Sequence, residues 1–229
     1  MEDTFKWHLE AQKKWDERAS FWNANSKEMW EEGSRKAIVP FYERNNPKGT
    51  SIIDIGCGDG YGSFKLMKAG YKVTGVDLSE EMIRICRERV SEKMTDLTFY
   101  QADMLELPFS TGSFDSLIAI NALEWSEVPV EGLKEMMRVV KDGGTLCIGI
   151  LGPTAKPRVN SYRRVYGEPV ICNTMMPWEL KQLANELGLE VIDSEGIYKR
   201  GVDKRLLEQL STDLRQSLTF MWLYMFKKS

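Results

Sequence analysis

The chain alternates between two kinds of apolar pattern. Short continuous runs, such as Ile52-Ile53-Asp54-Ile55 and Val73-Thr74-Gly75-Val76, read as strands buried on both faces. Helical segments separate them. Residues 1–45 read as helices. Asn25 with Glu28 predicts a capping-box start for a second helix after a break at Asn23-Ala24-Asn25, and Pro40 predicts a kink or division of that helix. Asn45-Asn46-Pro47-Lys48-Gly49 is a turn cluster leading into the first strand. A helix is predicted from Tyr61 to a cap at Gly70, then a strand over Tyr71–Asp77. Ser79 is the predicted N-cap of the next helix, with Glu80 and Glu81 complementing its dipole. Strands follow at about 97–102, 114–120 and 144–151, with a helix near 131–141. Beyond Leu151 the pattern changes. Residues 152–176 have no clear period. A helix is predicted from Pro177 to Gly188, a strand over 189–199 and a helix over 203–215. The run Ser217 to Phe226 is apolar on both faces and predicts a strand buried between two neighbours. Alternation of this kind predicts an α/β, doubly wound sheet with its ligand at the carboxyl ends of the strands.

The candidate chemistry begins where the first strand ends. Asp54-Ile55-Gly56-Cys57-Gly58-Asp59-Gly60-Tyr61-Gly62 places a carboxylate before glycines at every second position. Glycines serve where φ is positive or where a ligand approaches the backbone closely. Free N–H groups at the following helix start would suit a negatively charged ligand group. Asp77 ends the second strand, where a nucleotide ribose presents its hydroxyls. Together these features predict a nucleoside-containing ligand. A dinucleotide fingerprint, G-x-G-x-x-G, fails in both registers: Tyr61 stands at the third position counted from Gly56, and Ser63 at that counted from Gly58.

The pattern Asp-x-Gly-x-Gly-x-Gly resembles the class I S-adenosylmethionine-dependent methyltransferases, and more narrowly the type 11 small-molecule group that includes ubiquinone and menaquinone biosynthesis enzymes. The resemblance continues through Val76-Asp77-Leu78-Ser79, Gln101-Ala102-Asp103-Met104, Leu107-Pro108-Phe109, Ser113-Phe114-Asp115 and Arg138-Val139-Val140-Lys141-Asp142-Gly143-Gly144. It implies a Rossmann-like sheet of seven strands, mostly parallel, with an antiparallel last strand inserted beside the fifth. It also implies a single domain, with a helical lid (1–45), a cofactor core (50–151), an acceptor-side insertion (152–176) and a C-terminal completion of the sheet (177–229). S-adenosylmethionine is the implied cofactor. Gly56, Cys57, Gly58 and Gly60 would pass under its methionine and ribose, with Asp54 behind the loop. Asp77 would hold the ribose hydroxyls, with Leu78 and Met82 nearby. Asp103 would meet the adenine amino group, Met104 its ring face, and Asn121 and Ala122 the methyl-transfer channel. In such a reaction the leaving group is already activated, so alignment is the main requirement.

The acceptor side is less constrained. Trp7, Trp15, Trp22 and Trp30 recur at spacings of eight, seven and eight. They either pack the helices on the sheet or form a lid, with Trp15 or Trp22 closing the pocket; Trp125 joins the same candidate set. Arg158, Arg163 and Arg164 give residues 152–176 a net charge of +3, counting Lys156 and Glu168. They predict either an acceptor bearing carboxylate or phosphate or a solvated loop. Many relatives carry a histidine after the Leu-Glu that follows the fourth strand, where this chain has Leu123-Glu124-Trp125. An acceptor with a high-pKa proton would need another base, such as Glu124; an amine or thiolate would need none.

Composition narrows the remaining classes. The 229 residues carry a net charge of −3, and the pI is near 5.5, which gives no basic field for nucleic acid. Cys57, Cys86, Cys147 and Cys172 form no CxxC pair and no cluster with His8, the single histidine, so neither disulfides nor a metal are expected. Met1 to Lys6 has no apolar signal core, and no apolar run approaches membrane-spanning length. A soluble, cytoplasmic protein with a small-molecule acceptor is the expectation. The rivals are a non-catalytic S-adenosylmethionine-binding protein and an NAD(P)-dependent oxidoreductase.

Overall fold

The computed structural model describes residues 5–229, so the first four residues of the expected lid lie outside the described residues. Three helices come first: α1 (Trp7–Asp16), α2 (Ala19–Glu31) and α3 (Ile38–Glu43). The alternating part contains β1 (Ser51–Ile55), α4 (Tyr61–Lys68), β2 (Lys72–Asp77), α5 (Glu80–Arg89), β3 (Leu97–Gln101), β4 (Phe114–Ile120), α6 (Pro129–Val139) and β5 (Val140–Leu151). Then follow α7 (Pro177–Glu186), β6 (Leu189–Tyr198), α8 (Thr212–Ser217) and β7 (Thr219–Lys228).

The seven strands lie in the order β3-β2-β1-β4-β5-β7-β6. The first five are parallel to their neighbours, and β7 is antiparallel to both β5 and β6. The expected sheet is therefore observed. From β1 the chain moves outward through β2 and β3, then returns to place β4 on the other side of β1. The carboxyl ends of β1 and β4 form the switch point of the sheet, the place where open α/β sheets bind their ligands.

Strand alternation divides the core into two layers. Met221, Leu223 and Met225 of β7 face Phe41, Leu66 and Ile83 on the α3–α4–α5 side. Trp222, Tyr224 and Phe226 face Leu133, Met136 and Leu180 on the α6–α7 side. Both faces of β7 are thus covered, which explains its uninterrupted apolar sequence.

Four boundaries differ from the sequence expectation. Asn23-Ala24-Asn25 lies inside α2, not at its start, and the Asn25 side chain donates to the Phe21 carbonyl within the helix. Pro40 falls in the first turn of the separate helix α3, where its missing N–H costs least. The predicted helix over 203–215 is a 3-10 segment, Lys204–Gln209, followed by α8, because Leu210 is extended and Ser211 caps α8 through the Leu214 N–H. Residues 152–176 contain a 3-10 helix, Lys156–Tyr166. Positions three apart eclipse in such a helix. Arg158 and Ser161 face inward, whereas Val159, Tyr162 and Val165 are 66%, 53% and 67% exposed, so the polar stripe is the buried one.

Candidate active site

The glycine loop is shaped by its own hydrogen bonds. Gly56, Gly58 and Gly60 have φ of 70°, 57° and 75°, a region in which side chains other than glycine are strained. The Gly56 and Cys57 N–H groups both donate to the Val76 carbonyl, at 2.9 and 3.0 Å. Gly58 N–H donates to Asp77 Oδ2 at 2.9 Å, and Gly60 N–H to the Cys57 carbonyl at 3.1 Å. These four groups belong to the loop; the N–H groups expected to serve an anion are those of the α4 start, where the Tyr61 N–H reaches Asp59 Oδ1 at 3.5 Å. A pyrophosphate would find these four donors already engaged, which disfavours a dinucleotide.

The three glycines do different work. A Cβ on Gly56 would lie 2.7 Å from Ala122 Cβ, so that glycine brings the loop against the end of β4. On Gly60 it would meet Cys86 Sγ and Phe99 at 2.8 Å, inside the core. On Gly58 it would meet nothing within 4 Å. Gly58 alone of the three leaves an open cradle. Cys57 is turned inward, its Sγ toward Gly75, and burial pushes its thiol well up.

Two carboxylates flank the cradle. Asp54 is buried and accepts from Ser63 Oγ at 2.5 Å; burial raises it to about 6, against the opposing hydrogen bond from Ser63. Asp77 accepts Gly58 N–H on Oδ2 and Ser79 N–H on Oδ1, both at 2.9 Å. Burial raises it, while those hydrogen bonds pull it back. Each oxygen keeps a lone pair for ribose hydroxyls. An open cradle beside such an acid fits the nucleoside of S-adenosylmethionine.

At the end of β4, Asn121 is held at φ 52° and donates its N–H to the Gly149 carbonyl at 2.8 Å. Its Oδ1 is buried without a partner among the described residues. Glu124 follows in a short 3-10 turn, Leu123–Trp125, fully buried, with Oε1 accepting the Leu151 N–H at 2.5 Å and Oε2 bare. Burial pushes Glu124 up to about 7.

Residues 53–148 match the Methyltransferase domain family, type 11. They are a class I methyltransferase domain. S-adenosylmethionine is the cofactor of that domain. The chain is 35% identical over 112 residues to a putative methyltransferase, YqeM, of Bacillus subtilis, covering 47% of this chain and 45% of that one. It is 27% identical over 162 residues to a ubiquinone biosynthesis O-methyltransferase of Coxiella burnetii, covering 66% and 68%. A Haloferax volcanii putative methyltransferase solved in complex with the Trm112 activator shares the fold, with TM-score 0.70, 22% identity and coverage of 93% and 96%. The match covers between 27% and 68% of the first curated relatives' lengths.

Around the methyltransferase domain, the remaining predicted residues separate clearly. Leu78 packs with Trp7, Trp15, Trp125, Ala11, Ile171 and Cys172 in one cluster above the strand tips. Trp15 meets Trp125 edge-on at 4.9 Å, and Trp7 Nε1 donates to the Trp125 carbonyl at 2.8 Å. Met82 lies beneath Ala19 and Trp22, at the α2–α5 contact. Asp103 accepts the Leu105 N–H at 2.9 Å, and Met104 packs on the α6 side of the core.

The three arginines differ in their partners. Arg158 is buried and donates to four carbonyls: Gly152, Thr174, Leu151 and Met175, at 2.9, 2.8, 2.5 and 2.7 Å. It straps the insertion to the end of β5. Arg163 pairs with Glu168 on the surface, and Arg164 bonds back to the Ser161 carbonyl.

Several residues escaped the sequence reading. Asp59 accepts from Ser26 Oγ at 2.6 Å and from Arg89 Nη2 at 2.8 Å, which bolts α2 to the glycine loop. Asp16 Oδ1 accepts from Ser79 Oγ at 2.5 Å and from the Glu81 N–H at 3.2 Å, which docks α1 on the start of α5. Arg35 lies between Trp22 and Trp30, 4.9 and 5.7 Å from their ring centres, and the fields of Asp59 and Asp54 reach it. It takes part in no ion pair among the described residues. The side-chain partners of Asp59 and Asp16 are tens of residues away, so no local spacing announces them.

Proposed function

We propose that the protein transfers a methyl group from S-adenosylmethionine to a small aromatic or apolar acceptor held under the α1 aromatic cluster. The observation that carries this reading is the buried Asn121 Oδ1 at the end of β4, without a partner among the described residues and four positions before Trp125 of that cluster. Relatives named for ubiquinone O-methylation support a small-molecule acceptor.

When bound, S-adenosylmethionine supplies a methyl on a sulfonium whose departure needs no acid. Asp77 accepts the ribose hydroxyls with its remaining lone pairs. Gly58 leaves room for the cofactor against the loop. Arg35, which takes part in no ion pair among the described residues, is a cation available to the cofactor's carboxylate. Asn121 orients the reacting groups from the β4 end, and positioning of this kind contributes about 7–11 kcal/mol. Glu124 takes the proton from an acceptor hydroxyl in this reading. The aromatic cluster packs directly on Leu78, beside Asp77, and the acceptor binds against it.

The test is incubation with methyl-labelled S-adenosylmethionine and a panel of phenols, quinols and amines. Label is expected in the organic extract, and Trp125→Ala should lower acceptor kcat/KM while S-adenosylhomocysteine affinity holds. Label confined to macromolecules, or no turnover by a protein that binds the cofactor tightly, would refute the small-molecule reading.

A further inference from the structure

The five buried side-chain polar atoms without a partner among the described residues fall in two places. Asn121 Oδ1 and Glu124 Oε2 belong to the β4 side of the switch point. Arg215 Nε, Gln216 Oε1 and Trp222 Nε1 gather at the far edge of the sheet, where α8 covers β7 and β6. Buried polar groups are nearly always satisfied, so such a concentration asks for a missing partner.

That edge holds a cleft of about 400 Å³, within the range of small-molecule sites. Ser194, Tyr198 and Trp222 form its sheet side, and Lys204, Thr212 and Arg215 its other wall. Gly196 makes the arrangement possible, since a Cβ there would lie 2.8 Å from the Trp222 ring. Trp222 is only 5% exposed. Its indole N–H can donate but not accept, and the same holds for the Arg215 Nε–H. Arg215 Nη2 is steadied by Thr212 Oγ1 at 3.2 Å.

The electrostatics agree with the donors. Strand alternation turns Asp193 and Glu195 to the opposite face of β6, where Arg44 holds both at 2.7 Å. Glu195 borders the cleft through its backbone position, yet its carboxylate is committed to Arg44. Neither Lys204 nor Arg215 forms an ion pair among the described residues. Lys204, Arg215 and Trp222 therefore line one cleft, and Arg215 Nε and Trp222 Nε1 are buried beside it without a partner among the described residues.

We infer that this cleft binds a small oxyanion, the carboxylate or phosphate group of a metabolite. The indole N–H and the guanidinium Nε–H donate to its oxygens, and the Lys204 ammonium balances its charge. One strand, β5, lies between β4 and the Trp222 strand β7, so the cleft sits on β7 and β6 and not on the strands that carry the cofactor cradle.

Nuclear magnetic resonance of the ¹⁵N-labelled full chain tests this at constant ionic strength. Inorganic phosphate and acetate are titrated separately while the Trp222 indole N–H signal is followed, assigned by loss in Trp222→Phe or sequentially if that variant does not fold. Saturable movement with phosphate assigns a phosphate ligand, and with acetate a carboxylate; either supports the site. Arg215→Gln and Lys204→Gln should each weaken the response at least tenfold, with S-adenosylhomocysteine affinity unchanged as the check on folding. No saturable movement with either anion overturns the inference, and so does an undiminished response in both variants.

Discussion

Replacing Gly58 and Gly60 separately by alanine distinguishes a glycine needed by the cofactor from one needed by the fold. Both have φ in the left-handed region, where alanine costs about 1–2 kcal/mol. For Gly58 that is the whole folding penalty, because its Cβ would meet nothing within 4 Å. In a chain of this length ~1 kcal/mol moves Tm by about 2–4 °C, so Gly58→Ala should lower it by about 2–8 °C. Gly60→Ala adds contacts of 2.8 Å with Cys86 and Phe99. Overpacking of that kind costs a further ~1–3 kcal/mol, for a fall of about 4–20 °C. Binding should follow the reverse order. The new methyl of Gly58→Ala occupies the cradle and should weaken S-adenosylhomocysteine at least ~10-fold, equivalent to about 1.4 kcal/mol. The folded fraction of Gly60→Ala should bind nearly as the parent does. Thermal unfolding and calorimetric titration of both variants measure the two effects. Parent affinity in Gly58→Ala would refute the assignment of that opening to the cofactor.

Asp77→Ala should weaken the cofactor by at least ~10²-fold, since two charge-assisted bonds contribute about 1.5–3 kcal/mol each; calorimetry showing parent affinity would reduce Asp77 to a turn residue. Arg35→Gln should weaken S-adenosylhomocysteine but not methylthioadenosine, which lacks the carboxylate, and equal losses for the two ligands would contradict the ion pair. Glu124 is raised to about 7 in the fold, so it stabilises fully below the unfolded carboxylate pKa, and this is lost as pH rises through 7. Glu124→Gln should flatten the change in denaturant midpoint between pH 5 and pH 8, by roughly 3 kcal/mol at most; an unaltered pH profile would count against it. Arg158→Gln should lower Tm by several degrees by freeing buried carbonyls, whereas Arg163→Gln should leave both Tm and turnover unchanged; the opposite ranking would restore an acceptor role to Arg163.

Strand positions, the Ser79 cap and the terminal strand were legible because each rests on neighbours in sequence. Ser79 does receive the Met82 N–H, at 3.1 Å. The glycine loop was legible as a site but not in its wiring: which N–H groups are free depends on Val76 and Asp77, across the sheet. Residues 152–176 resisted because a three-residue period fits neither template, and because the segment buries Arg158 and exposes Val159. Its arginines were read by charge alone, whereas Arg158 satisfies carbonyls brought together only by folding. The α1 and α2 tryptophans proved divided in role, Trp30 packing over Gly62 in the core and Trp15 against Trp125 above the strand tips.

The insertion of β7 between β5 and β6 has a consequence for how the chain assembles during synthesis. The first five strands can pair as they emerge, each beside one already made. β6 cannot, because its only ladder is with β7. Until residues 219–228 are available, β5 presents Cys147, Ile148 and Ile150 along an unpaired edge, and β6 waits with no partner at all. Such edges are templates for pairing with other chains. Loss of the last strand would therefore not shorten the sheet by one. It would part β6 and α7 from the rest, and the nascent protein is most exposed to aggregation just before residues 219–228 arrive.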